Sequence, residues 1–166
     1  MNFKTSENVD SWELQFEQLL PLWGHRNWIV IADAAYPAQS SPSIETLATG
    51  ANHLHVLQKV LEAIARSGHV RANTYIDAEL EFVPEQDAPG VTEYRQEVRR
   101  LANAQGIQTI AHEQLITRLD ASSRLYRVLV LKTALTIPYT SVFLELDCGY
   151  WSREAEERLR DTLSTQ

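Results

Sequence analysis

The sequence has little cysteine, glycine or proline, and it has no long hydrophobic run. Its one cysteine, Cys148, cannot form a disulfide within the chain, and no cysteine-based zinc motif is possible. Six Gly and six Pro in 166 residues are too few for a long linker, and no stretch reaches the roughly 18 apolar residues of a membrane span. We therefore expect one globular domain over residues 1–166, located in the reducing cytoplasm, with no membrane partner.

Positive charge is also scarce. Fifteen Lys and Arg stand against 22 Asp and Glu, which gives a formal net charge of −7. A surface of this sign repels phosphate backbones, so a nucleic-acid partner is not expected. The first ten residues are polar and acidic rather than basic and then apolar, so a signal peptide is not expected either.

Hydrophobic periodicity predicts strands that alternate with helices. The apolar run from Trp28 to Ala32 is rich in β-branched residues and predicts a buried strand that ends at Asp33. Further strands are expected over 72–83, 107–110, 127–134 and 142–147. Helices are expected over 12–23, 44–65, 91–101, 112–122 and 151–166. The helix over 44–65 is expected to break near Gly50, and the helix over 151–166 is expected to be a C-terminal extension. This order predicts an α/β fold with a mainly parallel sheet and flanking helices.

The first predicted strand carries polar residues at both of its ends. Ligands of open α/β sheets usually bind beyond the carboxyl ends of the strands, which is where Asp33 is expected. His25 precedes the same strand, so its side chain is expected at the opposite end. The two residues can therefore meet only through a turn or a neighbouring chain.

Three segments resemble the ribose pyranase and fucose mutarotase (RbsD/FucU) family. Residues 22–37, LWGHRNWIVIADAAYP, resemble the family's opening Gly-His, apolar strand and Asp-Ala. His112-Glu113-Gln114 resembles the His-Glu-Gln segment of the pyranase branch, and residues 138–141, PYTS, are similar to the segment before the family's last strand. The three segments keep the family's order between residue 14 and about residue 149.

The resemblance implies the family's fold and a cofactor-independent mutarotase or pyranase, with no metal, acting on a free monosaccharide. It makes His25 the candidate general acid/base and Asp33 its proton-relay or sugar-hydroxyl partner. The further sugar-binding residues that it implies are His112, Tyr139, Ser141 and Tyr36. It also implies a ring-shaped homo-oligomer with sites between neighbouring subunits, which would bring His25 and Asp33 together.

These residue types suit anomer exchange. The reaction opens a cyclic hemiacetal when a proton leaves the anomeric hydroxyl and another reaches the ring oxygen, and the ring then closes again. An imidazole can accept or donate protons near neutral pH without a metal or nucleotide. A carboxylate can accept hydrogen bonds from two sugar hydroxyls, and a tyrosine offers an aromatic face and a hydroxyl.

Three departures from the family keep other functions open. Ser141 replaces an Asn, Ile116 replaces a Lys, and residues 150–166 extend beyond the family's usual end. Arg118 is a poor substitute for the Lys, because residues two apart on a helix point about 200° apart. The rival function is a non-catalytic sugar-binding or assembly protein on the same fold. A metal-dependent hydrolase has less support, since His53 and His55, two apart on a predicted helix, point to different faces.

Overall fold

The computed structural model describes residues 11–102 and 106–165, which form six strands and five α-helices. The strands are β1 Trp28–Ala32, β2 Ile44–Ala48, β3 Val70–Asp77, β4 Ile107–Ile110, β5 Val128–Lys132 and β6 Val142–Cys148. The helices are α1 Trp12–Leu19, α2 His53–Ser67, α3 Val91–Ala102, α4 His112–Ser123 and α5 Arg153–Ser164, with 3₁₀ turns at Leu20–Leu22 and Ala78–Phe82.

All six strands form one sheet in the order β2-β5-β1-β6-β3-β4. β1, β2 and β5 pair in parallel, as do β3 and β4, whereas β6 runs antiparallel to both of its neighbours, β1 and β3. The predicted α/β fold with a mainly parallel sheet is therefore confirmed. Because β6 alone is reversed, its first residue lies at the sheet edge where β1 and β3 end.

The sheet separates two apolar layers because successive side chains of a strand point to opposite faces. On β1, Ile29 and Ile31 enter the larger layer, which α1, α2 and α3 cover. Trp28 and Val30 enter the smaller layer, which includes Leu115 of α4. All five residues of β1 are buried, as expected for a central strand packed on both faces.

The segment Ile44–Ala48 is an edge strand, β2, and the helix predicted there is wrong. Only Ile44 of this strand is buried, so its sequence has no clear strand period. Its backbone instead pairs in parallel with Val128–Lys132 of β5. That pairing joins segments about eighty residues apart, and a local pattern does not report it. The helix begins later, at His53, where the Asn52 side chain caps it.

Strand β3 is shorter than predicted. It ends at Asp77, and the next five residues, Ala78–Phe82, form a 3₁₀ turn. The predicted strand over 72–83 placed Asp77 in mid-strand, but the residue stands at the strand's carboxyl end. This shift of six residues in the end of the strand changes which side chains reach the edge of the sheet.

The C-terminal helix α5 begins after Ser152, whose side chain accepts a hydrogen bond from the Ala155 amide. It buries none of its residues against the rest of the described chain, and Leu159 and Leu163 are exposed. Among the described helices, none combines the length and the apolar character that crossing a bilayer requires.

The central position of β6 makes a prediction for stability. Leu144 is fully buried between β1 and β3, so Leu144→Ala should lower the free energy of unfolding by about 2–5 kcal/mol through lost burial and a residual cavity. Leu163→Ala is the matched control, since Leu163 is 57% exposed on α5, and its effect should stay within about 0.5 kcal/mol. Denaturant unfolding measures both, and equal effects would contradict the burial assigned to β6.

Candidate active site at the carboxyl edge of the sheet

Several polar side chains meet where three central strands begin or end. Asp33 follows β1, Asp77 is the last residue of β3, and Ser141 directly precedes β6. Since β6 is antiparallel to the other two strands, its start and their ends share one edge. This is the edge at which α/β folds usually bind ligands.

A cavity of about 450 Å³ opens at this edge. Five of the six residues predicted for the site line it, and only His25 does not. The lining residues are Asp33, Ala35, Tyr36, Pro37, Gln39, Asp77, His112, Glu113, Ile116, Pro138, Tyr139 and Ser141. The cavity lies at the lower end of the size range of small-molecule sites in proteins.

The most buried charged group of the cavity is the Asp77 carboxyl, which is 1% exposed. Its Oδ1 lies 3.0 Å from Nδ1 of His112, and its Oδ2 makes no hydrogen bond with the described residues. Burial raises the pKa of Asp77 to about 6, although the neighbouring His112 acts in the opposite direction. The pair thus places a buried carboxyl with raised proton affinity against a partly exposed imidazole in the cavity wall.

The start of α4 positions the His112 ring. Ala111 offers no side chain to cap this helix, and the Glu79 carboxylate instead accepts the His112 backbone N–H at 2.9 Å. The Tyr139 ring meets the imidazole edge to face, with ring centres 5.7 Å apart. Tyr139 has a φ of 57°, an unusual and strained value for a bulky residue, and residues strained in this way cluster at functional sites. Helix, cap and ring together fix the imidazole in the cavity wall.

Asp33 and Ser141 form a second polar pair. The Ser141 hydroxyl donates to Asp33 Oδ1 at 3.2 Å, and the Ala35 backbone N–H donates to Oδ2 at 3.3 Å. These two contacts orient the carboxylate at the end of β1. Each oxygen of a carboxylate accepts more than one hydrogen bond, so Asp33 retains capacity for ligand hydroxyls.

Tyr36 adds a buried hydroxyl to the same cavity. Its side chain is 6% exposed, and its hydroxyl makes no hydrogen bond of ordinary geometry with the described residues. Burial raises the pKa of Tyr36 to about 12, so the hydroxyl keeps its proton near neutral pH. A buried polar group of this kind gains free energy when a ligand supplies the missing partner.

His25 lies at the other end of the sheet, as the sequence predicted. Its Nδ1 is 2.9 Å from Asp147 Oδ1, and Arg26 Nε donates to its Nε2 at 3.2 Å. β1 spans five residues between His25 and Asp33, which is about 16 Å at the rise of a strand. Within one chain, His25 therefore does not reach the cavity.

Ile116 and Arg118 diverge as the helical angle predicts. Ile116 lines the cavity, whereas the Arg118 guanidinium lies 5.5 Å from the centre of the Tyr75 ring. The charged residues of the cavity lining are Asp33, Asp77 and Glu113, together with His112, and no Lys or Arg belongs to that lining. The pocket thus favours neutral ligands over anionic ones.

The described residues contain no metal site. No group of three or more His, Cys, Asp or Glu side chains among them has an arrangement that could hold a metal ion. His53 and His55 diverge as predicted: His53 is buried, and His55 faces Glu13 at 3.7 Å.

The sequence interpretation missed Asp77 and Glu79. Asp77 carries a signal similar to that of Asp33, since Asp77 ends one strand and Asp33 directly follows another. The signal was hidden because the predicted strand continued to residue 83. Glu79 gave no local signal, because its partner, the start of α4, is 33 residues away.

The comparison with family models identifies the class of this chain. Residues 14–148 match the model of the RbsD / FucU transport protein family. The chain therefore belongs to that family, as its three sequence segments indicated. A search among curated proteins finds no match.

Solved structures share the fold at low sequence identity. RbsD of Bacillus subtilis, solved with D-ribose, is 21% identical with a TM-score of 0.54, over 80% of this chain and 91% of that chain. The fucose mutarotase of Streptococcus pneumoniae, solved with L-fucose, is 20% identical with a TM-score of 0.54, over 82% and 92%. FucU of Bifidobacterium longum is 14% identical with a TM-score of 0.54, over 80% and 93%. The likeness establishes a shared fold.

The pKa of Asp77 predicts a pH-dependent effect of Asp77→Asn. Between about pH 4 and pH 6 the folded protein holds the Asp77 proton more tightly than the unfolded chain does, so this group stabilises the fold at low pH. The contribution is lost as the pH rises through 6. The stability of Asp77→Asn relative to the original protein should therefore increase with pH over this window, by at most about 1.4 kcal/mol per unit.

Denaturant unfolding at pH 4.5 and pH 7 provides the measurement. Asp161→Asn on the exposed helix α5 serves as the control, and its effect should stay within about 0.5 kcal/mol at both pH values. A relative stability of Asp77→Asn that is constant or decreases with pH would contradict the raised pKa.

Proposed function

We propose that this protein is a cofactor-independent monosaccharide mutarotase or pyranase, which interconverts anomers or ring forms of a free sugar. The proposal is carried by the convergence of Asp33, Asp77 and His112 on one cavity of about 450 Å³ at the carboxyl edge of the sheet. The family membership and the D-ribose and L-fucose bound by two proteins of the same fold support it.

The reaction needs two proton transfers and no redox change. A base takes the proton of the anomeric hydroxyl while an acid protonates the ring oxygen, and the bond between that oxygen and the anomeric carbon breaks. Rotation of the open-chain carbonyl exposes its other face, and a sugar hydroxyl then adds to it. The two protons return in reverse, so catalyst and sugar are unchanged in composition.

The Asp77–His112 pair supplies one transfer group. With Nδ1 held by Asp77, the other ring nitrogen of His112 makes no hydrogen bond with the described residues. It can exchange a proton with the sugar, while the buried carboxyl keeps the ring oriented and stabilises its charged form. Asp33 binds sugar hydroxyls. The Tyr36 hydroxyl, which makes no hydrogen bond of ordinary geometry with the described residues, donates to another oxygen of the sugar.

The cavity wall favours a neutral sugar. Ile116, Pro37 and Pro138 give it apolar surface, and Tyr139 offers an aromatic face to the C–H side of a sugar ring. Carboxylates near the reacting atoms would repel a phosphate or a sugar acid. An unphosphorylated monosaccharide thus suits the lining best.

We further propose that His25 acts as a general acid/base in the cavity of a neighbouring subunit of a ring-shaped homo-oligomer. The His25 side chain is 57% exposed at the opposite edge of the sheet, where it contacts Asp147, which is itself paired with Arg71. Leu22, Leu125 and Tyr150, from the loops around this edge, are each more than three-quarters exposed. Their burial by a second copy would be favourable. We place the protein in the cytoplasm, because its single Cys148 suits a reducing compartment.

The second candidate is a non-catalytic sugar-binding or assembly protein. Ser141 carries one donor where the family's Asn carries two, and Ile116 puts a hydrocarbon where the family has an ammonium group. Both changes keep the cavity while removing polar groups. Binding of a sugar without faster exchange in the intact protein would favour this candidate.

Proton exchange spectroscopy on a panel of free monosaccharides, including ribose and fucose, tests the enzymatic proposal. We expect the intact protein to accelerate exchange between anomeric signals of at least one sugar. His112→Ala should slow the catalysed exchange by about 10²–10⁴-fold, because a general acid/base is lost. His55→Ala, which removes an exposed histidine of α2, should retain full activity. Exchange that persists in His112→Ala would exclude the role given to this residue.

Complementation tests the shared site. His25→Ala and His112→Ala should each be inactive alone. When the two chains are coexpressed, random assembly places an intact His25 beside an intact His112 at one site in four, so the mixture should recover about a quarter of the activity. Coexpression of His112→Ala with Asp77→Asn provides the control, because both changes fall on the same subunit's cavity. Recovery in the control, or none in the first mixture, would contradict the shared site.

A further inference from the structure

A buried polar network lies directly behind the cavity and is not part of its lining. It consists of His53, Tyr94, Thr133 and Thr140, each at most 4% exposed. His53 Nδ1 lies 3.0 Å from Thr133 Oγ1, and His53 Nε2 lies 3.1 Å from Tyr94 Oη. The network joins the first residue of α2 to α3 and to the loops at the ends of β5 and β6.

Both hydroxyls of the network donate to backbone carbonyls beside site residues. Tyr94 Oη donates to the Thr140 carbonyl at 2.6 Å, and this residue precedes Ser141. Thr133 Oγ1 donates to the Ala32 carbonyl at 2.8 Å, and that residue precedes Asp33. The network therefore holds the backbone at the two positions whose side chains form the Ser141–Asp33 hydrogen bond.

The Ala32 and Thr140 carbonyls differ in whether they accept a second hydrogen bond. The Ala32 carbonyl also accepts the Thr133 backbone N–H at 2.8 Å, so it keeps a partner when the Thr133 hydroxyl turns toward His53. Burial lowers the pKa of His53 to about 4, and a neutral imidazole has one N–H for its two contacts, so one of the two hydroxyls must donate to the ring in place of its carbonyl. The Thr133 hydroxyl can do so without leaving the Ala32 carbonyl unpaired. The Tyr94 hydroxyl, with its short bond to Thr140, is thus the more persistent anchor.

A buried polar network is a demanding arrangement. Each of its groups would lose a water partner on burial, and an apolar cluster of similar volume would pack without that requirement. What a satisfied network adds is one defined geometry, since its hydrogen bonds have fixed lengths and directions. Here that geometry is transmitted to the ends of two strands that do not follow each other in the chain.

We propose that His53 and Tyr94 are positioning residues, which set the geometry of the Asp33–Ser141 pair from behind through the Ala32 and Thr140 carbonyls. Neither side chain touches the cavity, so neither is a catalytic residue. The kinetic consequence rests on the proposed mutarotase function. The structural consequence does not depend on that function.

Tyr94→Phe tests the proposal because it removes one hydroxyl and keeps the ring. Tyr75→Phe is the matched control: Tyr75 is 6% exposed, and its hydroxyl donates to Glu145 at 3.0 Å, outside the cavity lining. We expect the backbone amide NMR signals of Asp33 and Ser141 to shift together in Tyr94→Phe and to stay in place in Tyr75→Phe. Unmoved signals in folded Tyr94→Phe would overturn the proposal.

Kinetics on the sugar found by exchange spectroscopy form the second arm. Tyr94→Phe should lower kcat about tenfold, with KM changed less than about threefold, because the reacting geometry is disturbed more than binding. In a Ser141→Ala background, which lacks the pair, Tyr94→Phe should have no further effect on kcat. Effects that multiply instead would assign Tyr94 a role apart from this pair.

The two arms separate the possible failures. If the intact protein exchanges no sugar while the Asp33 and Ser141 signals shift as expected, the mutarotase proposal fails and the positioning role stands. If exchange occurs and neither the signals nor kcat responds to Tyr94→Phe, the positioning role fails and the mutarotase proposal stands.

Discussion

The pairing of β6 between β1 and β3 is the constraint on which the site depends. Because β6 is antiparallel to both neighbours, its first residue meets their last residues at one edge. Ser141 thereby reaches Asp33, and Asp77 lies on the far side of the same reversed strand. A parallel β6 would have placed Ser141 beside His25, at the opposite edge. The cavity therefore follows from the direction of one strand.

Burial of Asp77 raises the proton affinity of a carboxyl group at this edge of the sheet. A carboxyl group in a shielded position holds its proton more tightly, and the nearby His112 ring offers that proton a second acceptor. Such a pair is costly for stability at neutral pH, because the desolvated charge is only partly compensated by one imidazole. Strained or costly groups of this kind persist where the surrounding structure holds them, and here the Glu79 cap and the Tyr139 ring do so.

Several elements were predictable because their signal is local. The run Trp28–Ala32 is apolar at every position, which marks a central strand, and α2 shows its helical period from His53 onward. Residues 44–48 were misassigned because an edge strand with one buried residue has no distinctive pattern, and its partner β5 lies far along the chain. The site residues that the family resemblance predicted all line one cavity, with the exception of His25. Asp77 was missed because the end of β3 was placed six residues too late.

The sequence by itself determined the α/β class, the family, and the residue types available for proton transfer, since these depend on composition, periodicity and short segments. Only the tertiary structure decided that β6 is reversed, that Asp77 pairs with His112, and that His25 contacts Asp147. It also decided that His53, which looks like an ordinary helix residue in the sequence, anchors two strand ends through Tyr94 and Thr133. The physical reason is the same in each case: these contacts join residues 35 to 122 positions apart, and their hydrogen bonds exist only once the sheet has brought those residues together.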